Sequence, residues 1–202
     1  MFNKRVFHAC AATLMLAPAL LGWNPANAAV IYSSFGDDDS FPFLLSSGWT
    51  IGGPVGLVQG LQFTPAQSDV VQTIEIAAFW IAGGTALNVS LMTDTGNLPG
   101  TVIETLPVCC FVEPGSIQMA NSVLRPPLTG GTKYWLLVSP VAAGDHFGWC
   151  RNFEAPLALN AQRFVGGSWS IGFEWQGAVR ISGEASTPTS SASWGRLKSL
   201  YR

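Results

Sequence analysis

His146 follows Asp145 in Gly144-Asp145-His146-Phe147 and is the only histidine beyond the first 28 residues. A Ser-His-Asp site needs its acid behind the imidazole, orienting the ring, and sequence neighbours seldom reach that position. The Gly-x-Ser-x-Gly elbow that presents a nucleophilic serine is absent as well. A solvent-facing loop histidine is therefore the leading reading, and a hydrolytic triad the lesser one. Glycoside hydrolysis would need two carboxyl groups facing each other across a cleft. Glu75, Glu104, Glu154 and Glu174 have the right side chain, but nothing in the sequence pairs them. No catalytic residue is assigned, and the chain is expected not to be an enzyme.

Asp37-Asp38-Asp39 is the sharpest acidic cluster. Carboxylates crowded together repel unless a cation neutralises them, and calcium takes oxygen ligands of this kind. These three are the candidate structural calcium ligands, and no other cofactor is expected. Three successive residues point in different directions, and no Asp-x-Asp-x-Asp-Gly loop surrounds them. A solvated acidic turn is the default.

Cys109, Cys110 and Cys150 are the cysteines beyond residue 28. In an oxidising compartment the expectation is a disulfide from Cys150 to either Cys109 or Cys110, with one thiol left over. Adjacent cysteines seldom bridge each other, because the backbone holds their side chains apart. A zinc site would need a ligand spacing that three cysteines and one histidine do not provide here.

Seven tryptophans lie beyond residue 28, and a β domain buries most such rings. A sugar-binding surface would expose one or two beside polar side chains. Trp149, followed by Arg151 and Asn152, and Trp175, between Glu174 and Gln176, are the candidate ligand contacts. Burial in the core is the leading reading for each ring.

The elements that must carry these residues read as strands. Leu87, Val89 and Leu91 alternate with Asn88 and Ser90, the period of a half-buried strand. The turn residues Asp94 to Gly100 then lead into a strand from Thr101 to Leu106, which makes a hairpin. Lys133 to Val138 is apolar on both faces, as a central strand would be. Val70 to Ile81 is the longest candidate strand. Others fall near Val30–Phe35, Val55–Phe63, Ile117–Val123, Leu157–Phe164 and Ala178–Ser182. Strands at this spacing, with no helical periodicity between them, predict an all-β fold: an antiparallel two-sheet sandwich, jelly-roll-like, with a closed barrel as runner-up. Ser47-Gly48-Trp49-Thr50-Ile51-Gly52 echoes Gly167-Ser168-Trp169-Ser170-Ile171-Gly172, so the two segments are expected at equivalent, neighbouring places.

The ends differ from this body. Lys4 and Arg5, the apolar run Ala9 to Leu21 and the small residues Ala26-Asn27-Ala28 form a three-part secretory signal. Residues 1–28 are read as a signal peptide cleaved between Ala28 and Ala29, with residues 29–184 as the β domain. The apolar run is too short for a stable transmembrane anchor. Residues 185–202 are a Ser/Thr-rich linker and a short cationic tail from Trp194 to Arg202, read as a frayed end or as a docking segment. Between residues 29 and 184 there are 12 acidic and 5 basic side chains, a formal charge of −7. That balance repels phosphate backbones, so a nucleic-acid partner is not expected.

Gly48-Trp49-Thr50-Ile51-Gly52, Phe63-Thr64-Pro65, Val89 to Gly100, ending Leu98-Pro99-Gly100, Leu128-Thr129-Gly130-Gly131-Thr132-Lys133-Tyr134-Trp135-Leu136 and Gly167-Ser168-Trp169-Ser170 together span most of Val30 to Glu184. In these the chain resembles exported bacterial "choice-of-anchor" domain proteins, related to those with PEP-CTERM sorting tails. The resemblance implies a surface- or matrix-associated β-sandwich. The Pro-Glu-Pro motif, apolar span and basic end of the sorted members do not follow the linker. The expected function is that of an exported non-catalytic protein with a structural or binding role at the cell envelope or extracellular matrix. A lectin-like carbohydrate-binding module is the alternative and a secreted hydrolase the weaker one. Polysaccharide or an envelope component is the expected partner.

Overall fold

A computed structural model describes residues 28–41, 48–111 and 115–184. The expected signal up to Asn27 and the C-terminal linker and tail lie outside these residues. At the expected cleavage point Ala28 is exposed, and the Ala29 carbonyl accepts a hydrogen bond from the Gly183 N–H at 2.7 Å.

The described chain folds into fifteen strands: β1 (Val30–Ser33), β2 (Trp49–Gly52), β3 (Leu57–Phe63), β4 (Asp69–Ala82), β5 (Leu87–Asp94), β6 (Pro99–Val108), β7 (Ser116–Asn121), β8 (Pro127–Leu128), β9 (Tyr134–Pro140), β10 (His146–Trp149), β11 (Arg151–Asn152), β12 (Ala158–Phe164), β13 (Ser170–Glu174), β14 (Gln176–Gly177) and β15 (Val179–Gly183). The only helical pieces among them are two three-residue 3₁₀ turns, Asp37–Asp39 and Gly53–Val55. Every pairing is antiparallel, so the fold is all-β.

Hydrogen bonding joins thirteen strands into one network in the order β1-β15-β4-β10-β2-β3-β9-β5-β6, with β12 and β13 beyond β3, and β7 and β8 on β4. Only β11 and β14 pair apart from it. The two halves of the order meet at one point, Gly52 opposite Leu57. Gly52 has φ +74, and a Cβ there would lie 1.9 Å from the Asp145 carbonyl oxygen, so only glycine lets the chain pass from one half to the other. The main core draws on both halves: Ile31, Ile74, Ile76, Val179 and Ile181 from one, and Leu61, Val89, Leu91, Leu136 and Val138 from the other. Burial of each such side chain is worth about 1.5–3 kcal/mol.

The alternation read in the sequence is visible in the strands. Leu87, Val89 and Leu91 are fully buried, whereas Asn88 and Ser90 are half-buried. β9 runs between β3 and β5, with its first five residues buried, as a central strand should be. The hairpin over Asp94–Gly100 joins β5 to β6. Its Asp94 carboxylate accepts from the Gln62 amide and the Trp135 indole N–H, both at 2.7 Å, and from the Asn97 N–H at 3.1 Å.

The two Gly-x-Trp segments correct the expectation made of them. Trp49 and Ile51 of β2 are core residues beside β10, whereas β13 pairs only with β12 and is largely exposed. They are neither equivalent nor neighbours. Trp169 instead packs under the Arg163 guanidinium, 4.3 Å from its ring centre.

Among the described residues no backbone ladder joins β6 to β7. Glu104 spans that gap. Its carboxylate accepts from the Val123 N–H at 2.7 Å, the Leu124 N–H at 2.9 Å and the Ser122 hydroxyl at 2.6 Å.

Candidate functional site

β1 ends at Ser33, and the chain turns outward through Ser34-Phe35-Gly36 into the acidic 3₁₀ turn. β11 ends at Asn152, and Phe153 to Pro156 run alongside. Between these segments lies a cleft of about 570 Å³, lined by Ser33, Phe35, Asp37, Asn152, Glu154 and Pro156, among others.

Ser34 and Asn152 of its lining, and Gln176 bonded to its Pro156, are three buried polar side chains whose hydrogen-bonding groups are used internally. The Ser34 hydroxyl donates to the Gly177 carbonyl at 2.6 Å and accepts from the Val179 N–H at 3.0 Å. The Asn152 amide donates to the Ser34 carbonyl at 2.7 Å, while its oxygen accepts from the Glu154 N–H at 2.9 Å. Gln176 donates to the Pro156 carbonyl at 2.7 Å and accepts from the Tyr32 hydroxyl. Buried polar groups satisfied in this way hold a rigid shape. Tyr32 loses solvent on burial, which pushes its hydroxyl pKa upward, so it stays a proton donor.

Beside the cleft, Trp175 packs edge-on against Phe153, with ring centres 5.8 Å apart and an interplanar angle of 79°. Phe153 sits in sequence between the cleft residues Asn152 and Glu154, and the Arg151 guanidinium lies 5.6 Å from its ring centre. Arg151 also pairs with Glu174 at 3.5 Å, and Glu174 accepts from the Trp49 indole N–H at 3.2 Å. Trp175 is 39% exposed.

Of the candidate ligand contacts, Trp175 stands exposed beside this corner with Arg151 next to it, whereas Asn152 is buried in the wall with its amide and its oxygen both bonded to backbone groups. Trp149 is corrected. It is fully buried, donates its indole N–H to the Ala178 carbonyl at 3.1 Å and packs edge-on against Trp49 at 5.2 Å. Its ring cannot reach a ligand.

The three calcium candidates of the acidic turn have different surroundings. Asp37 lines the cleft, Asp38 is exposed with φ 53, and Asp39 is bound by Arg180. Arg180 also holds Glu75 at 2.5 Å, and its pKa is raised first by Glu75 and then by Asp39. A fixed guanidinium already neutralises one of the three carboxylates, and the other two do not converge on it. Among the described residues no group of three or more histidine, cysteine or acidic side chains is placed to hold a metal ion.

The expected Cys150 bridge is not formed. Cys109 and Cys110 are exposed, Cys150 is buried, and all three thiols are free. Cys150 is held inside a cluster with Ala77, Phe79 and Ala178, where its N–H donates to the Ala77 carbonyl at 2.9 Å and its carbonyl accepts from the Ala178 N–H at 2.7 Å. Burial pushes its thiol pKa up to about 12.

Asp145 does not orient His146. Its two carboxylate oxygens accept from the Gly84 N–H at 2.7 Å and the Ala142 N–H at 2.8 Å, which ties two loops together. Of the four glutamates weighed for hydrolysis, Glu75 is paired with Arg180, Glu104 is bound by backbone amides and Glu174 pairs with Arg151. Glu154 alone reaches the cleft, where Ser40 donates to it at 3.4 Å.

The sequence reading missed Ser33, Phe35 and Glu154 as cleft residues. The signal available was the pairing of β1 with β15, next to the β11–β14 pair, and that pairing is invisible without the fold. A second depression of about 620 Å³, between Gly53–Gly56 and Pro140–Gly144, is lined by glycine, proline, alanine and valine and brings no polar side chains together. The corner cleft is the better candidate, because ligand sites combine an apolar surface with a few placed polar groups. No family model matches the chain, and no curated protein matches its sequence.

Proposed function

We propose that this chain is an exported, non-catalytic β domain that acts outside the cytoplasm by binding, with the corner cleft as its ligand face. The three-part secretory signal supports export, and the resemblance to choice-of-anchor domains supports a place at the envelope or in the extracellular matrix. The cationic segment from Trp194 to Arg202 suits docking to an envelope partner.

The observation that favours a carbohydrate ligand within this reading is exposed Trp175, packed edge-on against half-buried Phe153 beside a polar cleft. Sugar rings offer apolar faces to aromatic side chains and hydroxyls to carboxylates. Asp37 and Glu154 are both acidic, so neutral polysaccharides suit the cleft and anionic ones are repelled. The test is retention of the purified protein on columns of neutral, sulfated and uronate polysaccharides. Neutral polysaccharide should retard it, and Trp175→Ala should weaken binding about tenfold, equivalent to about 1.4 kcal/mol. Absence of retention on every neutral polysaccharide, or Trp175→Ala binding like the wild type, refutes the carbohydrate reading.

A further inference from the structure

Along β3, β9 and β5 the residues that face the main core alternate with a second apolar set on the opposite face of the sheet, Val58, Leu137 and Met92. A groove of about 270 Å³ runs over that set and shares no residue with the corner cleft. The strand register gives its direction. Arg163 of β12 lies opposite Val58 of β3, β9 follows with Leu137, and Met92 of β5 lies opposite Val102 of β6. The groove therefore crosses five adjacent strands, about 19 Å of sheet at the usual strand spacing. Its floor is the buried set, and Val102 at the far end is 52% exposed.

Arg163 stands at the other end, and its surroundings set it apart. Among the described residues Arg125, Arg151 and Arg180 each pair with a carboxylate, and Lys133 donates to the Asn97 side chain. In a domain with a formal charge of −7, no described carboxylate is placed on Arg163. Its guanidinium lies over the Trp169 ring, 4.3 Å from the ring centre, and its Nε is buried without an acceptor. Buried donors are normally paired. This cation has given up water on one side without gaining a counter-charge, so an anion that reaches its remaining N–H groups is strongly favoured.

We propose that this groove is a second ligand site, distinct from the corner cleft, for a linear carboxylate of the fatty-acid class, with its head on Arg163 and its chain laid over Val58, Leu137 and Met92 toward Val102. A small anion would answer the arginine and leave the apolar floor uncovered. A neutral apolar molecule would cover the floor and leave the cation unpaired. The narrow path across the strands suits an unbranched chain, and the unbranched Met92 side chain can adjust its rotamers beneath it. With the Arg163 side chain taking up the first part of the span, a chain of decanoate length reaches Val102.

The test is isothermal titration calorimetry of the purified protein with decanoate, acetate and 1-decanol, each below its solubility or micelle limit. Decanoate should bind one to one and at least tenfold more tightly than acetate, which has the head alone, or 1-decanol, which has the chain alone. Arg163→Gln should weaken decanoate at least tenfold and leave 1-decanol unchanged. If that variant fails to fold because Trp169 loses its cover, Val102→Glu decides. Its side chain is exposed at the far end of the groove, and a carboxylate there should weaken decanoate at least fivefold while acetate is unaffected. Decanoate that does not bind, or binds no tighter than acetate or 1-decanol, overturns the proposal. Wild-type decanoate affinity in either folded variant overturns it as well. No polysaccharide takes part, so this site and the carbohydrate reading of the corner cleft stand or fall separately.

Discussion

Glu104→Gln removes a charge from a carboxylate that is 6% exposed and bridges β6 to the segment after β7, while keeping its shape. Hydrogen bonds to a charged group contribute about 1.5–3 kcal/mol each, and neutral ones about 0.5–1.5 kcal/mol. Three bonds are involved. Val123 and Leu124 are exposed side chains, so their amides regain water if the contact loosens, and the lower part of the range applies. The expected loss at pH 7 is about 2–3 kcal/mol, or about 5–10 °C in Tm for a domain of this size. The pH dependence makes the test specific. Burial by itself pushes the Glu104 carboxyl pKa up, but the bonds from Ser122, Leu124 and Val123 outweigh it and hold the pKa below its ordinary value. A carboxyl depressed in the folded state stabilises above its unfolded pKa of about 4.3 and loses that contribution as pH falls through the folded value. The difference between wild type and Glu104→Gln should therefore shrink below about pH 4. Urea unfolding followed by tryptophan fluorescence at pH 7 and pH 3 measures it. A variant within about 0.5 kcal/mol of wild type at pH 7, or a gap that does not narrow at pH 3, refutes the reasoning.

Asp145→Ala should destabilise by about 2–4 kcal/mol, because the Gly84 and Ala142 amides lose their acceptor at a residue only 6% exposed; a shift in urea midpoint at an unchanged m-value would show it. Gly148→Ala should cost about 3 kcal/mol or more, since the new Cβ would lie 2.0 Å from the Phe79 ring. Adding Phe79→Leu should recover part of that loss, a non-additivity that a double-mutant cycle measures and that strict additivity would contradict.

The strands were legible where burial is one-sided or complete over a long stretch. β5 shows clean alternation, β9 a continuous apolar run, and β4 sheer length, and each follows from the two-residue period of a strand. β10 was not legible. His146-Phe147-Gly148-Trp149 holds one glycine in four residues and no long apolar run. Gly148 is there because the Phe79 ring lies over the backbone, a tertiary reason with no local trace. Trp149 was weighed as a ligand contact because polar residues follow it. Its burial is set by the T-shaped contact with Trp49, a residue distant in sequence, and by the pairing of β2 with β10. The corner cleft joins residues 33–37 to residues 152–156, so only the sheet order could bring them together.

The charges around the cleft lead to the same ligand class by a separate route. Arg151 and Arg180 are the cations beside it, and each is committed to a carboxylate: Arg151 to Glu174, and Arg180 to Glu75 and Asp39. Asp37 makes no side-chain hydrogen bond or ion pair among the described residues, and Glu154 receives only the Ser40 hydroxyl at 3.4 Å. The lip therefore keeps a net negative field although two arginines stand nearby. Ser34, Asn152 and Gln176 spend their polar groups on the walls, so they shape the cleft without gripping an occupant. What remains to meet a ligand is two carboxylates that accept hydrogen bonds and an aromatic pair that offers a flat apolar edge. A molecule rich in hydroxyl donors and without negative charge satisfies both, whereas a sulfated or uronate chain would face repulsion that no free cation among the described residues at the lip offsets.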